Sequence, residues 1–239
     1  MMKVASLISR RYLPLSEDTG RRLASVPPVH GVITELPAFL TDDGVTRFRN
    51  EARMLLQHGQ RRDLQLGGTP RRLLTVNHET IVELGRLIPA LLESEELLEF
   101  LSGLAGTALV PYGDEYESAA VLHLENAGDT HGGHVDSFRY AFGIALDVPG
   151  KYDKGGVLEY VPNEEHVRAL QTKACRHHRM NPGDAYLMHR TDRNVHRVSP
   201  LEQASSRRTM LSLALSTPDE RDRPSESSDA MFSPDPLQP

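Results

Sequence analysis

Apolar residues recur at helical spacing in the first half of this chain. The segment LTDDGVTRFRNEARMLLQHG offers Thr41 as an N-cap, acidic residues in the first turn and apolar residues three and four positions apart. HETIVELGRLIPALLESEELLEFLSGLAG predicts two shorter helices, because Pro89 breaks or kinks the first and Ser94 can cap the second. We therefore predict a helical part over about residues 35–104.

From about Thr107 the pattern changes to short apolar or alternating runs. They are TALVPYG, ESAAVLHLEN, FRYAFGIALDV, GVLEYVP, DAYLMH, VHRVSP and RRTMLSLALS, separated by turns such as VPGKYDKGG and MNPGDA. Many short strands with turn signals predict an all-β sandwich or barrel, here over about residues 105–216. The last segment, about residues 217–239, is rich in Pro, Ser and acids, so it is either disordered or a lid that a ligand orders.

Composition narrows the class of protein. The 239 residues suffice for one domain over 1–239, and 38% hydrophobic with 25% charged residues is typical of a soluble globular chain. No apolar run approaches the roughly 18–20 residues of a membrane span, and the N-terminus lacks the features of a signal peptide. Cys175 is the only cysteine, which fits a cytoplasmic protein, and a net charge of −6 without a basic run argues against a nucleic-acid partner. The oligomeric state stays open, a homodimer included.

The densest group of polar residues is THGGHVDSFRY, which runs from residue 130 to 140. His134 and Asp136 are two residues apart, so on an extended strand both side chains point to the same face and can meet one ion. The best third ligand is His196 in NVHRVSPL, with His189 as a weaker rival. Two imidazoles and one carboxylate are the facial triad of non-haem Fe(II) oxygenases, whereas any one of these residues alone would be read as a solvated turn residue.

An arginine on the following run can anchor a co-substrate. A 2-oxo acid chelates iron, and the guanidinium fork suits its far carboxylate. RRTMLSLALS offers Arg207 and Arg208, and strand parity decides between them. If Arg208 points into the site, Ser212 points with it and the leucines face outward, whereas the opposite parity fills the pocket with leucines. We prefer Arg208 and Ser212 as the co-substrate contacts.

The motifs HVD, GGVLEYVPN, NPGDAYLMH, HRVSPL and RRTMLSLALS resemble the Fe(II)/2-oxoglutarate-dependent oxygenases. The resemblance extends from about Thr69 to Phe232 and is closest to the bacterial group that acts on free amino acids, which contains hydroxylases and radical halogenases. It implies a mostly-β fold with N-terminal helices and a double-stranded β-helix core, also called a jelly roll and similar to the cupins. It also implies Fe(II), O₂ and 2-oxoglutarate, which is oxidatively decarboxylated to succinate and CO₂.

The resemblance also bears on the reaction. Halogenases of this group replace the ligand carboxylate by a small residue so that chloride can bind iron, and this chain keeps Asp136. We therefore expect a hydroxylase of a small free amino acid or related zwitterion. A desaturase or cyclase could use the same triad. A non-catalytic, cupin-like metal-binding protein is the alternative from another class, but it has no need for an anchoring arginine after the last ligand.

The resemblance further suggests the residues that contact the substrate. It places His131 and Arg71, with Arg72 as the neighbouring candidate, against the substrate carboxylate. It places Glu117 where an acid pairs with the substrate amine, and Phe232 where an aromatic side chain covers the substrate. The alternative for each polar residue is a solvated surface side chain.

Overall fold

The computed structural model of the protein describes residues 4–25, 27–150, 153–203, 205–225 and 227–234. Its helices are α1 (Glu17–Leu23), α2 (Asp42–Leu56), α3 (His78–Leu84), α4 (Leu87–Leu92), α5 (Glu95–Ala105) and α6 (Ser228–Phe232). Its strands are β1 (Ile33–Leu36), β2 (Gln60–Leu66), β3 (Thr69–Val76), β4 (Val110–Pro111), β5 (Ala119–Leu124), β6 (Thr130–His134), β7 (Tyr140–Asp147), β8 (Leu158–Val161), β9 (Arg176–His178), β10 (Ala185–His189), β11 (Val195–Val198) and β12 (Arg208–Ser216). None of the helices in these ranges has the length and apolarity that crossing a bilayer requires.

The strands form one curled antiparallel sheet. Its order is β1-β10-β7-β12-β5-β3-β6-β11-β8-β9, with β2 paired to β3 and β4 paired to β12. The prediction of a mostly-β chain with N-terminal helices is confirmed.

Strand β12 is buried on both faces, and its residues alternate between two layers. Leu211 and Leu213 belong to the core that the helices cover, together with Phe48 of α2. Met210 and Ala214 belong to a second layer, on the inner face of the curled sheet. Burying a side chain of this size contributes roughly 1.5–3 kcal/mol, so the leucine face is held firmly against the helices. Because side chains alternate along the strand, the residues of β12 that share a face with Met210 and Ala214 point to the inner face of the curled sheet.

The helix caps follow the sequence signals. The Thr41 hydroxyl accepts a hydrogen bond from the Gly44 N–H at 3.1 Å, and the Ser94 hydroxyl accepts one from the Leu97 N–H at 3.2 Å. Each hydroxyl satisfies one of the amide groups that a helix leaves unpaired at its start. Both predicted caps are therefore confirmed.

The break between α3 and α4 lies earlier than Pro89. Helix α3 ends at residue 84, and Pro89 lies within the first turn of α4. A proline is tolerated there, because the N–H groups of the first turn have no partner within the helix. The Glu51 carboxylate accepts hydrogen bonds from the amides of Arg86, Leu87 and Ile88 at 3.1, 2.8 and 2.8 Å. A carboxylate from α2 thus starts the new helix, and the proline only follows it.

The predicted helical part, about residues 35–104, is wrong in one respect, because it contains β2 and β3. These two strands form a hairpin closed by Gly67 and Gly68, whose φ angles are +57° and +75°. Positive φ at both turn residues is what a two-residue hairpin turn with the natural strand twist requires, and Gly-Gly was the signal for it. The hairpin joins the sheet through pairing of β3 with β5 and β6. The sheet therefore does not begin near residue 105.

Candidate active site

A cavity of about 480 Å³ lies between the inner face of the curled sheet and the C-terminal segment. Its wall includes all the preferred ligands and contacts from the sequence analysis: Arg71, Glu117, His131, His134, Asp136, His196, Arg208, Ser212 and Phe232. They come from positions up to 161 residues apart in the chain, so the topology of the sheet brings them together.

The three candidate metal ligands lie close to one another. His134 ends β6 and faces His196 of β11 directly across the antiparallel pair. Asp136 follows β6 and places its carboxylate between the two imidazoles, with Oδ1 at 3.3 Å from Nε2 of His134 and Oδ2 at 3.4 Å from Nε2 of His196. One donor atom from each residue lies within 4.8 Å of the other two.

Backbone carbonyls set the tautomers of both histidines. Nδ1 of His134 lies 2.8 Å from the Gly132 carbonyl, and Nδ1 of His196 lies 2.9 Å from the Asn194 carbonyl. Because a carbonyl oxygen only accepts, each Nδ1 carries a proton, and Nε2 is the ring nitrogen that faces Asp136. Burial raises the pKa of Asp136, but His196 and His134 outweigh that effect and hold it below the usual value. Two imidazoles and one carboxylate are a donor set that fits Fe(II).

His189, the rival ligand, lies apart from this group. Its Nε2 is 2.8 Å from the hydroxyl of Thr34, and burial lowers its pKa to about 4. Within the described residues it forms no metal-binding group with other histidines or acids.

Arg71 and His131 are direct partners across the β3–β6 pair, and both line the cavity. Arg71 is only 2% exposed, donates to the Thr69 hydroxyl at 2.6 Å, and has no described partner for its buried Nε. Burial lowers the pKa of Arg71 to about 10, although Asp136 opposes the shift. Burial, His134 and Arg71 together hold the pKa of His131 well below its usual value, so its imidazole is neutral. A buried cation without an acidic partner of its own is suited to an anionic ligand.

Gly132 allows the arginine to come this close. A Cβ on Gly132 would lie 2.4 Å from the carbonyl oxygen of Pro70 and 2.9 Å from Nη1 of Arg71. The neighbouring candidate, Arg72, is exposed and pairs with Asp63 at 3.1 Å outside the cavity. Of the two arginines, the structure brings only Arg71 to the site.

Glu117 is the second buried carboxylate on the cavity wall. Its oxygens accept hydrogen bonds from the hydroxyls of Ser225 at 2.5 Å and Ser227 at 3.4 Å. Burial raises the pKa of Glu117 to about 8; the Ser225 hydrogen bond opposes this rise, and Asp136 adds to it. Desolvation thus keeps this carboxyl close to its titration point at neutral pH, where a cationic partner would ionise it fully.

The C-terminal segment closes one side of the cavity. Met231 and Phe232 of α6 are buried and line it, in the segment that the sequence left open between disorder and a lid. Asn77 donates from its side-chain amide to the Phe232 carbonyl at 2.9 Å, and Arg62 donates to the next carbonyl at 2.7 Å. Residues 235–239 of the predicted tail lie outside the described residues.

Arg208 of β12 is a further residue of the cavity wall. It is buried and lines the cavity together with Met210 and Ser212, whereas Arg207 is exposed. Its side chain makes no hydrogen bond to another described residue.

The polar residues of the wall that sequence reasoning missed include Tyr186 and Arg223. Tyr186 and Met188 point inward from β10, while Ala185 and Leu187 belong to the core under the helices. The alternation in DAYLMH could have identified Tyr186, had the inner face been known. Arg223 follows no regular strand or helix, and Nη1 lies 3.6 Å from Asp192. No local pattern marks it.

The family model described as "HalD: Halogenase D" matches residues 29–233, which include every residue of the site. A comparison with curated proteins found no match.

Solved structures with the same fold include the following three. The epimerase SnoN, in complex with Fe³⁺, alpha ketoglutarate and nogalamycin RO, is 19% identical with a TM-score of 0.61 over 84% of each chain. A prolyl hydroxylase from Trichoplax adhaerens, in complex with a peptide fragment of the hypoxia inducible factor oxygen degradation domain, is 16% identical with a TM-score of 0.62 over 85% of this chain and 93% of that one. AviO1 from Streptomyces viridochromogenes Tue57 is 20% identical with a TM-score of 0.58 over 88% and 99%. These likenesses confirm the predicted jelly-roll core.

Proposed function

The chain belongs to the Halogenase D family, and we propose that it is an Fe(II)- and 2-oxoglutarate-dependent oxygenase that hydroxylates a small free amino acid or a related zwitterion. The observation that carries the proposal is the Asp136 carboxylate between His134 and His196. The SnoN structure contains iron and the same co-substrate in the same fold, which supports both as cofactors here.

His134, Asp136 and His196 would hold the metal. When bound, Fe(II) supplies the redox chemistry that activates O₂ and oxidises a substrate C–H bond. The Gly132 and Asn194 carbonyls orient both rings through Nδ1, so that Nε2 is the nitrogen available to the metal.

Arg208 and Ser212, which both line the cavity, would hold the far carboxylate of 2-oxoglutarate. Arg208 is a buried guanidinium without a described acidic partner, and a bidentate carboxylate would supply one. In the overall reaction one O₂ provides one oxygen atom to the substrate, as a hydroxyl, and the other to succinate. The 2-oxo acid also loses CO₂. The four electrons that reduce O₂ come in pairs, two from the oxidative decarboxylation of the 2-oxo acid and two from the C–H bond.

Arg71 and His131 would bind the substrate carboxylate, and Glu117 would bind an ammonium group. The unpaired Nε of buried Arg71 supports the first contact, and the buried carboxyl of Glu117, which accepts from neutral serines, supports the second. Phe232 would cover the substrate and keep bulk water out of the cavity. The two opposite charges on the wall fit a zwitterion or a cationic amino acid.

Asp136 also favours hydroxylation over halogenation, although the family carries the name of a halogenase. In the free-amino-acid group that the sequence resembles, halogenases have a small residue here, and a halide takes the vacated metal position. Asp136 would occupy that position with its own carboxylate. A desaturase or cyclase on the same triad is the remaining alternative, and the mass of the product separates it from a hydroxylase.

The test begins with the anaerobic Fe(II) protein. Addition of 2-oxoglutarate should give a visible absorption band, and a metal-binding protein without a chelation site would give none. A panel of free amino acids is then assayed for succinate and product mass in high chloride. We expect one succinate per turnover and a product one oxygen heavier than its substrate. A chlorinated product from the unmodified protein would refute hydroxylation, and loss of two hydrogens would indicate a desaturase or cyclase.

The matched variant is Asp136→Gly. It removes the carboxylate from the metal position and should abolish hydroxylation. Any chlorinated product from this variant alone would show that Asp136 decides the outcome.

A further inference from the structure

Four side chains hold four consecutive backbone carbonyls at the C-terminal end of the described chain. The hydrogen bonds run from Thr75 to the carbonyl of Met231 at 3.1 Å, from Asn77 to that of Phe232 at 2.9 Å, from Arg62 to that of Ser233 at 2.7 Å and from Gln60 to that of Pro234 at 2.5 Å. In the described part of the chain these carbonyls belong to no strand ladder. Side-chain donors, rather than sheet pairing, therefore fix this stretch of backbone.

The four donors lie on one face of the hairpin that β2 and β3 form. Arg71, Thr75 and Asn77 all occupy odd positions, so alternation along the extended chain directs their side chains to the same side. In the pairing register Arg62 lies opposite Leu73, so the even positions of β2 share this face. One face of the hairpin thus carries both the arginine that lines the cavity and the donors to the C-terminal carbonyls.

Helix α6 depends on its surroundings for its order. It has five residues, and an isolated helix of that length is not stable in water. Met231 and Phe232 pack into an apolar cluster with Leu73 of the same hairpin. An extended strand spans about 13 Å from Arg71 to Thr75, so the hairpin sets the distance between the proposed substrate contact and the backbone beside Phe232.

Arg62 is the costliest of the four donors. It is only 3% exposed and forms no ion pair with an acid in the described ranges; Nε lies 3.4 Å from the Thr75 hydroxyl, and Nη2 donates to the Ser233 carbonyl. Burial lowers the pKa of Arg62, which reflects the cost of desolvating a cation. An apolar side chain of similar length would fill the same space without that cost. What the guanidinium adds is its grip on the C-terminal backbone.

We propose that Arg62 is a positioning residue that, together with Thr75, holds the backbone of α6 so that Phe232 covers the cavity at a fixed distance from Arg71. The inference rests on the proposed function, because a cover matters only if a substrate is oxidised beneath it. A displaced cover admits water and holds the substrate less well, so 2-oxoglutarate is then consumed without oxidation of the substrate. The hairpin would thus place both the contact to the substrate carboxylate and the cover.

The first measurement does not depend on turnover. Hydrogen exchange of the amides of residues 229–233, followed by mass spectrometry, reports how firmly α6 is held. Arg62→Met keeps an unbranched side chain and removes the donors, so it should speed this exchange about tenfold or more, with the exchange of β12 unchanged. Arg72→Met is the matched control, because Arg72 is exposed on the same hairpin and pairs with Asp63 at 3.1 Å. Its exchange should equal that of the unmodified protein.

The second measurement is the ratio of succinate to oxidised substrate. Arg62→Met should raise this ratio and leave the Kd for 2-oxoglutarate, measured by anaerobic calorimetry, unchanged. Thr75→Val keeps the shape of the side chain but removes the hydroxyl, and it should act in the same direction. In a Phe232→Ala background Arg62→Met should add little, because no aromatic cover remains to be displaced. A merely structural role for Arg62 would add its effect in both backgrounds.

The outcomes separate the inference from the proposed function. If the unmodified protein forms no oxidised product from any amino acid, the proposed function fails and the inference fails with it. If turnover is present but Arg62→Met changes neither the exchange nor the ratio, the inference is wrong and the proposed function stands. Faster exchange with an unaltered ratio would also overturn the inference, because the held segment would not act as a cover. Should Arg62→Met not fold, Thr75→Val decides by the same two measurements.

Discussion

Replacing Glu117 by glutamine should change how the stability of the protein depends on pH. Glutamine keeps the shape of the side chain and an oxygen that accepts from Ser225, but it cannot ionise. In the metal-free, substrate-free protein, burial raises the pKa of Glu117 from 4.5 to about 8. The folded state therefore binds this proton more tightly than the unfolded state.

The sign and the size of the effect follow from linkage. The contribution of Glu117 to the free energy of unfolding is fully present below pH 4.5, and it is lost as the pH rises through about 8. Between these values the free energy of unfolding falls by about 1.4 kcal/mol per pH unit, and the whole window corresponds to on the order of 5 kcal/mol. From pH 5.5 to 7.5 we expect the glutamine variant to gain about 3 kcal/mol relative to the unmodified protein.

The assay is urea unfolding of both proteins in EDTA at half-unit steps between pH 5 and 8.5. The buried histidines have the opposite effect on stability. Because burial lowers the pKa values of His131 and His196, their contribution to the free energy of unfolding increases as the pH rises. Both proteins carry these histidines, and the difference between the two profiles isolates Glu117. Glu165→Gln, at an exposed position on the cavity rim, is the control and should run parallel to the unmodified protein. Parallel profiles for Glu117→Gln as well would refute the argument that desolvation dominates this carboxyl.

Three further predictions concern the proposed ligands and the cover of the cavity. His196→Ala should abolish turnover and weaken Fe(II) binding measured by calorimetry, since two donors remain; full activity would contradict the triad. Arg208→Ala should raise the KM for 2-oxoglutarate strongly, because a charged hydrogen-bonding partner worth about 1.5–3 kcal/mol is lost; the same effect from Arg207→Ala instead would show that the opposite strand parity operates in solution. Phe232→Ala should raise the ratio of succinate to oxidised substrate by admitting water, with the KM for 2-oxoglutarate unchanged; an unaltered ratio would show that this side chain does not protect the reaction.

The sequence by itself determined the elements whose cause is local. Thr41 and Ser94 cap helices as predicted, since capping depends on residues three positions apart. His134 and Asp136 share a face because the period of an extended strand is two. The same period connects Arg208 with Ser212 on one face of β12, and the leucines at positions 211, 213 and 215 identify the other face as the core.

The tertiary structure alone decided what depends on pairing between distant segments. The position of His196 opposite His134 follows from the register of β11 on β6, and the contact of Tyr186 with Gly143 follows from that of β10 on β7. Neither register can be read from the strands in isolation, because each depends on which neighbours the curled sheet provides. The elevated pKa of Glu117 likewise arises from burial under the C-terminal segment, which lies more than 100 residues away in the chain. Desolvation and strand register are properties of the folded surroundings, so they appear only when the chain has closed around the cavity.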